Sequence, residues 1–201
     1  ADGRFPVMGS VGVVSDLKSL DDILHEVERQ LEEGARFILI DTARAYSVNA
    51  KETILGIRKR FPHISQVGGN VSTPEGAKFL CELGVDCIKV NQGAGSACLT
   101  REVGTGLPQL YAVASSSVIA HRYGRTLMAD GGMAEEETPG DFVNAIIAGA
   151  DTLMSGAFFI GTHESKAEPY PKKVEIEKEE YAYIVVKNYD GSASPQAQAR
   201  R

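Results

Sequence analysis

Three cysteines, four histidines and no long apolar run leave this 201-residue sequence short of several common signals, and each shortage excludes something. An odd cysteine count without short paired spacing argues against a disulfide framework and against a zinc ribbon, and the expected compartment is a reducing, cytoplasmic one. His25, His63, His121 and His163 show no metal-ligand spacing, so no metal site built from side chains is expected. The longest apolar runs, FILI and FFI, fall far below the ~20 residues of a spanning helix, so no membrane association is expected. The opening ADGRFPVMGS lacks a charged-then-apolar signal pattern. Basic residues are scattered and the formal net charge is -6, which leaves no nucleic-acid footprint. A nucleotide ligand stays compatible with that charge, because backbone amides and a few placed side chains suffice to bind one.

What the chain does contain is one theme repeated: a short apolar strand, a polar or glycine-rich loop, then an amphipathic helix. PVMGSVGVV (6–14) reads as a strand. Ser19 then caps a helix with Asp21 and Asp22 in its first turn, Leu20, Ile23, Leu24, Val27 and Leu31 on its apolar face, and Gly34 at its end. FILIDT (37–42), QVGGNVST (66–73), VDCIKV (85–90), TLMADGG (126–132) and DTLMSGAFF (151–159) read as further strands and the turns that follow them. Helices are expected near 48–60, after the Thr73 cap with Pro74 at its first position, over 108–124 and over 139–150. Alternating βα units with strands apolar along their length fit a parallel sheet, either a barrel or an open doubly wound one. Residues 1–165 are expected to form this βα portion. Residues 166–201 are expected to be a charged, hairpin-like excursion and C-terminal segment of the same domain, with alternation in KVEIE and AYIVV.

Parallel α/β folds keep their chemistry in the loops after strand C-termini. Five such loops carry polar residues or glycines: DTARAYS (41–47), GGNVST (68–73), NQGAGSACLTR (91–101), ADGGM (129–133) and SGAFFIGTHES (155–165). Cys81, on a helix's apolar face, and Cys87, inside a strand, read as small core hydrophobes. Cys98 has no apolar neighbourhood to fill. Backbone amides of its glycine-rich loop and the nearby Arg101 would lower its thiol pKa and favour a nucleophilic thiolate. The glycine pair Gly131 and Gly132 would let backbone N–H groups approach an anion, with Gly156 and Ala157 adding amides for the same phosphate. Asp130 beside them could accept from two sugar hydroxyls. Asp41, ending its strand, is either a second ribose contact or a helix N-cap.

These loops together resemble one family. IKVNQGAGSACLTR is similar to the catalytic-cysteine loop of IMP dehydrogenase and GMP reductase, K-V-G-I-G-P-G-S-x-C-T-T-R. FILIDTARAYS resembles the segment I-D-T-A-H-G-H-S, and VGGNVST resembles A-G-N-V-x-T. PQLYAV, LMADGG, AGADTLMSGAFFIGTHES and NYDGSAS match further family segments in the same order. The resemblance implies a TIM (β/α)8-type barrel, of which about six βα units are visible in this chain. It implies Cys98 as the nucleophile that adds to C2 of the purine, and Thr100 as an aid to the second half-reaction. Ser96, Gly131, Gly132, Gly156, Ala157 and Tyr189 would hold the 5′-phosphate, Asp130 the ribose, and Asn70 would line the site. Asp41 would face the nicotinamide riboside of NAD or NADP. Backbone carbonyls of Gly93, Gly95 and Cys98 would hold potassium, and the assembly would be a homo-tetramer.

The same resemblance leaves the reaction open between an IMP dehydrogenase, with hydride transfer to NAD, and an NADPH-dependent GMP reductase, DTA and ADGG leaning to the first. A non-catalytic purine-nucleotide-binding barrel is the competing class, and a flavin-type phosphate-binding barrel explains ADGG but not GSACLTR. Several positions depart from the family pattern. Asn91 and Gln92 stand in place of Gly-Ile, Ala94 in place of Pro and Leu99 in place of Thr. Arg44, Ala45 and Tyr46 replace His-Gly-His, Ala157 replaces a phosphate-binding Ser, and Ser192 replaces a Met that contacts the base. The two missing strands and the flap are expected to belong to a longer chain.

Overall fold

A computed structural model describes residues 6–93, 104–132, 139–165, 167–177 and 180–187. Six parallel strands form one sheet: β1 (Val7–Val11), β2 (Ala35–Asp41), β3 (Ser65–Val71), β4 (Cys87–Val90), β5 (Thr126–Asp130) and β6 (Thr152–Met154). Between them run the helices α1 (Leu20–Glu32), α2 (Val48–Arg60), α3 (Pro74–Glu82), α4 (Gln109–Arg122) and α5 (Pro139–Ile147). A short helix, α6 (Ala157–Ile160), follows β6.

The strand order is β1-β2-β3-β4-β5-β6, every neighbour parallel. This order decides between the two parallel architectures. A doubly wound sheet reverses direction once, whereas here each right-handed crossover advances the same way and puts every helix on one face. The sheet is a curled half-barrel of a (β/α) barrel.

Local sequence explains the element starts. Ser19 and Asp22 form a reciprocal capping box at α1, Ser47 accepts from the Ala50 amide at α2, and Thr73 accepts from Gly76 ahead of Pro74 at α3. Because Ser47 caps α2, Asp41 is not a cap. Two strand expectations need correction. β1 covers only Val7–Val11, and β6 only Thr152–Met154, and the loop expected over 155–165 contains a short helix at Ala157–Ile160.

Strand residues alternate between two faces. Val11, Ile38, Ile40, Ile88, Val90, Leu127 and Ala129 face the helices and are buried against Ile23, Val27, Ile54, Ile57, Leu80, Cys81, Val113 and Ala145. The opposite, concave face carries Leu39, Val67, Cys87 and Met128, and it ends on Asp41, Lys89 and Asp130. After α6, β7 (Pro169–Glu177) and β8 (Glu180–Lys187) form a separate antiparallel hairpin. Its last residue ties back to the barrel part through Lys187 Nζ, which donates to the carbonyls of Thr162 (2.7 Å) and Ser165 (3.1 Å). Among the described residues no helix is long and apolar enough to cross a membrane.

Candidate active site

The C-terminal edge of the sheet gathers its polar groups around one lysine. Asp41 on β2, Gly69 on β3 and Lys89 on β4 share one register layer, and Asp130 ends β5 one step higher. Gly69 carries no side chain, so Lys89 reaches across β3 to Asp41. A Cβ at Gly69 would lie 2.5 Å from both the Cβ and the carbonyl oxygen of Lys89. Lys89 Nζ stands 2.9 Å from Asp41 Oδ1 and 2.6 Å from Asp130 Oδ2. Its own side chain is only 3% exposed, while those of Asp41 and Asp130 are 40% and 23% exposed. Burial works against the ammonium, but the charges of Asp130 and Asp41 and hydrogen bonds to both outweigh it and hold the Lys89 pKa above the ordinary lysine value. A raised pKa means this contribution to stability is fully present below about pH 10.5 and is lost only as pH rises through the folded value. At neutral pH the lysine is therefore charged.

Asn70 provides the second hold on Asp130, Nδ2 donating to the same Oδ2 at 3.0 Å. Its own Oδ1 is buried without a hydrogen-bond partner among the described residues. Asn91 Nδ2 donates to the Asp130 carbonyl. Gln92 satisfies its whole amide between two neighbouring loops. Nε2 donates to the carbonyls of Ala43 (3.0 Å) and Asn70 (3.4 Å), and Oε1 accepts from Ser72 Oγ (2.5 Å). Gln109 at the start of α4 donates to the Val90 carbonyl at 2.8 Å. The loops after β2, β3 and β4 are thus stitched together.

Gly93, Gly131 and Gly132 all adopt positive φ (87°, 57° and 70°), which favours glycine at these turns. The Gly131 amide donates to the Met154 carbonyl at 2.7 Å, so it joins β5 to β6 and does not project toward a ligand. Gly156 stands at the N-cap of α6, followed by Ala157. Ser96, Cys98, Thr100, Gly95 and Tyr189 lie outside the described residues. The two other cysteines behave as inert thiols. Burial is the leading cause that pushes both Cys81 and Cys87 above the usual thiol pKa, and it leaves them protonated at neutral pH.

Two carboxylates at a strand-end mouth, each tied through one oxygen, suit a ligand rich in hydroxyls. With that geometry in view, comparison with known proteins is decisive. The IMP dehydrogenase / GMP reductase domain profile matches residues 1–201.

The chain belongs to the IMP dehydrogenase / GMP reductase family.

Inosine-5'-monophosphate dehydrogenase of Streptococcus pyogenes is 41% identical over 167 residues, which cover 83% of this chain and 32% of that protein. The enzyme of the same name from Nitrosopumilus maritimus is 39% identical over 164 residues, covering 81% of this chain and 33% of the relative. That of Staphylococcus saprophyticus is 37% identical over 164 residues, covering 81% and 32%. The chain therefore spans about a third of the length of the curated relatives it matches.

Within the family frame, the structure brings Asp41, Asn70 and Asp130 to one cluster and puts Gly93, Gly131, Gly132 and Gly156 on the same strand-end edge. The residue that sequence reasoning missed is Lys89. Its signal was present: a lysine at an inward position of an otherwise apolar strand, two residues before a polar loop. Asn91 and Gln92 read from sequence only as departures from the family pattern, yet they are the residues that lace its loops together.

Proposed function

We propose that this chain carries the nucleotide site of a purine-nucleotide oxidoreductase acting at C2 of IMP, in the manner of an IMP dehydrogenase. The observation that carries this reading is the pair of carboxylates from β2 and β5, drawn to a common mouth by Lys89 and each retaining an oxygen without a protein partner among the described residues. Asp130 would take the hydroxyls of the substrate ribose. Ser96, Gly132, Gly156, Ala157 and Tyr189 would surround the 5′-phosphate, with Gly131 shaping the turn. Asn70, whose Oδ1 has no partner among the described residues, would line the site beside the base.

Asp41, whose side chain is 40% exposed, would take a ribose diol, with the nicotinamide riboside of NAD, or NADP, on its side of the mouth. Bound NAD⁺ would accept the hydride that leaves C2 once the Cys98 thiolate has added there. Thr100 would assist attack of water on the resulting thioimidate, which breaks the S–C2 bond and returns the thiol. Backbone carbonyls of Gly93, Gly95 and Cys98 are assigned to potassium on the family resemblance alone. The proposal extends to a cytoplasmic homo-tetramer in which residues 166–201 belong to the barrel domain. GMP reduction is the second reading, favoured by AYS at 45–47 and PGD at 139–141.

Intact mass after incubation with IMP, NAD⁺ and potassium tests the proposal, with Cys98→Ala as control. A nucleotide-mass adduct on the wild type and none on the variant is the expected result. An adduct formed only from GMP and NADPH would transfer the reading to the reductase. Nucleotide binding without adduct or hydride transfer from either pair would leave a binding barrel instead.

A further inference from the structure

We infer that Lys89 is a positioning residue that couples the two ligand sites, ordering Asp41 and Asp130 together through one buried charge. The inference rests on the reading of Asp130 as the substrate-ribose contact and Asp41 as the dinucleotide contact. Lys89 is too deeply buried to touch a ligand, and its ammonium is committed to the two carboxylates at 2.6 and 2.9 Å. Those carboxylates belong to β2 and β5, which are separated by two strands, and no other side chain among the described residues bridges them. The path exists because Gly69 leaves the intervening strand bare: its Cβ would land on Lys89.

The two carboxylates depend on the lysine unequally. Asp130 has a second donor in Asn70 at 3.0 Å, whereas Asp41 has Lys89 as its one side-chain partner among the described residues. Each carboxylate is fixed through the oxygen that meets the ammonium, which presents its other oxygen to a hydroxyl group. A ligand that pins one carboxylate pins the ammonium as well, and the second ligand then meets an ordered acceptor. The coupling is positive and reciprocal, because linkage between two binding equilibria must be symmetric. Loss of the lysine falls harder on the dinucleotide side.

The test is calorimetric titration with IMP and with NAD⁺, each with and without the other, in a Cys98→Ala background that prevents turnover. Lys89→Met, Lys89→Arg, Asp41→Asn and the Lys89→Met/Asp41→Asn pair are compared, each with a melting curve. Lys89→Met is expected to weaken NAD⁺ about 10-fold or more, as removal of a charged hydrogen-bond partner does, and IMP by less. It also removes a mutual enhancement of about 5-fold between the two ligands. Lys89→Arg restores most of both. In the Asp41→Asn background, Lys89→Met adds no further loss of NAD⁺ affinity.

The inference is overturned if Lys89→Met leaves NAD⁺ binding and the mutual enhancement intact, if it weakens both ligands equally, or if its loss adds in full to that of Asp41→Asn. Should the melting curve show that Lys89→Met does not fold, Lys89→Arg and Asp41→Asn decide. Enhancement kept by arginine and abolished by Asp41→Asn supports the lysine link, and enhancement surviving Asp41→Asn refutes it. A parent protein that binds neither nucleotide sinks the proposed function and this inference with it. Binding of both with a silent Lys89 sinks the inference alone.

Discussion

Just before β4 one carboxylate, Asp86, is shared by two guanidiniums, and near the strand's other end one ammonium, Lys89, is shared by two carboxylates. Asp86 accepts from Arg58 (2.8 Å) and the Gln66 backbone N–H (2.9 Å) on Oδ2 and from Arg125 (3.1 Å) on Oδ1. Arg58 goes on to the carbonyls of Ile64 and Gly84, at 2.8 and 2.9 Å. Both carboxylate oxygens are occupied there, and the network fastens α2, β3, β4 and the start of β5 to one another. At the C-terminal end the shared ion is itself buried, and its two partners keep oxygens turned to the mouth. A closed network secures a fold, whereas one with acceptors left over is arranged for a ligand. The assignment agrees with the general division of labour in βα barrels, where the strand C-termini carry the chemistry.

The contrast can be broken at either end, and the largest effect is expected where both meet the backbone. Gly69→Ala pushes a methyl group into the Cβ and carbonyl of Lys89, with no flexible tip to move aside. It should lower stability by about 3 kcal/mol and abolish nucleotide binding together, as overpacking against a strand does. Chemical denaturation with a parallel nucleotide titration reads both. A variant as stable as the parent would show that the mouth tolerates movement of β3.

Asp86→Ala comes next, at about 2 kcal/mol, since three donors lose a charged acceptor while solvent reaches the half-exposed arginines. Its melting temperature falls, yet IMP affinity at a temperature where it remains folded is unchanged. A smaller change of opposite sign is expected beside it. Both side-chain amide atoms of Gln66 are buried without a hydrogen-bond partner among the described residues, so Gln66→Leu should raise stability by about 1 kcal/mol with no effect on binding. A loss instead would mean that the Gln66 side chain has a partner in solution.

Much of this fold is legible in the residues. The period-3.6 face of α1, the caps at Ser19 and Thr73 and the recurrence of βα units follow from local chemistry, and they appear where the sequence puts them. The order of the strands does not follow, because one βα unit looks the same in a barrel and in a doubly wound sheet. The short helix at Ala157–Ile160 was missed for a related reason. It lies inside the loop read from 155 to 165, and a run as short as AFFI has no period to mark it as a helix.

At the site, Asp41, Asn70 and Asp130 stand out because each polar residue closes a strand at its loop. Lys89 was hidden by the reverse situation. VDCIKV reads as one apolar run, and only pairing across β3 and β5 shows that its lysine points at two carboxylates. Gln92 was hidden likewise, since its three partners come from segments 20 or more residues away in sequence.

The measurement closest to the central claim sets Asp130→Asn against Asp86→Ala in IMP titration and thermal melting of the same preparations. Asp130→Asn leaves the buried Lys89 with Asp41 as its one carboxylate among the described residues, so this variant also melts below the parent. The account predicts that it weakens IMP by about 10-fold or more at a temperature where it stays folded. Asp86→Ala lowers the melting temperature and leaves IMP affinity unchanged. Equal loss of affinity in both, or unchanged affinity in Asp130→Asn, would contradict a nucleotide site at the C-terminal end of this sheet.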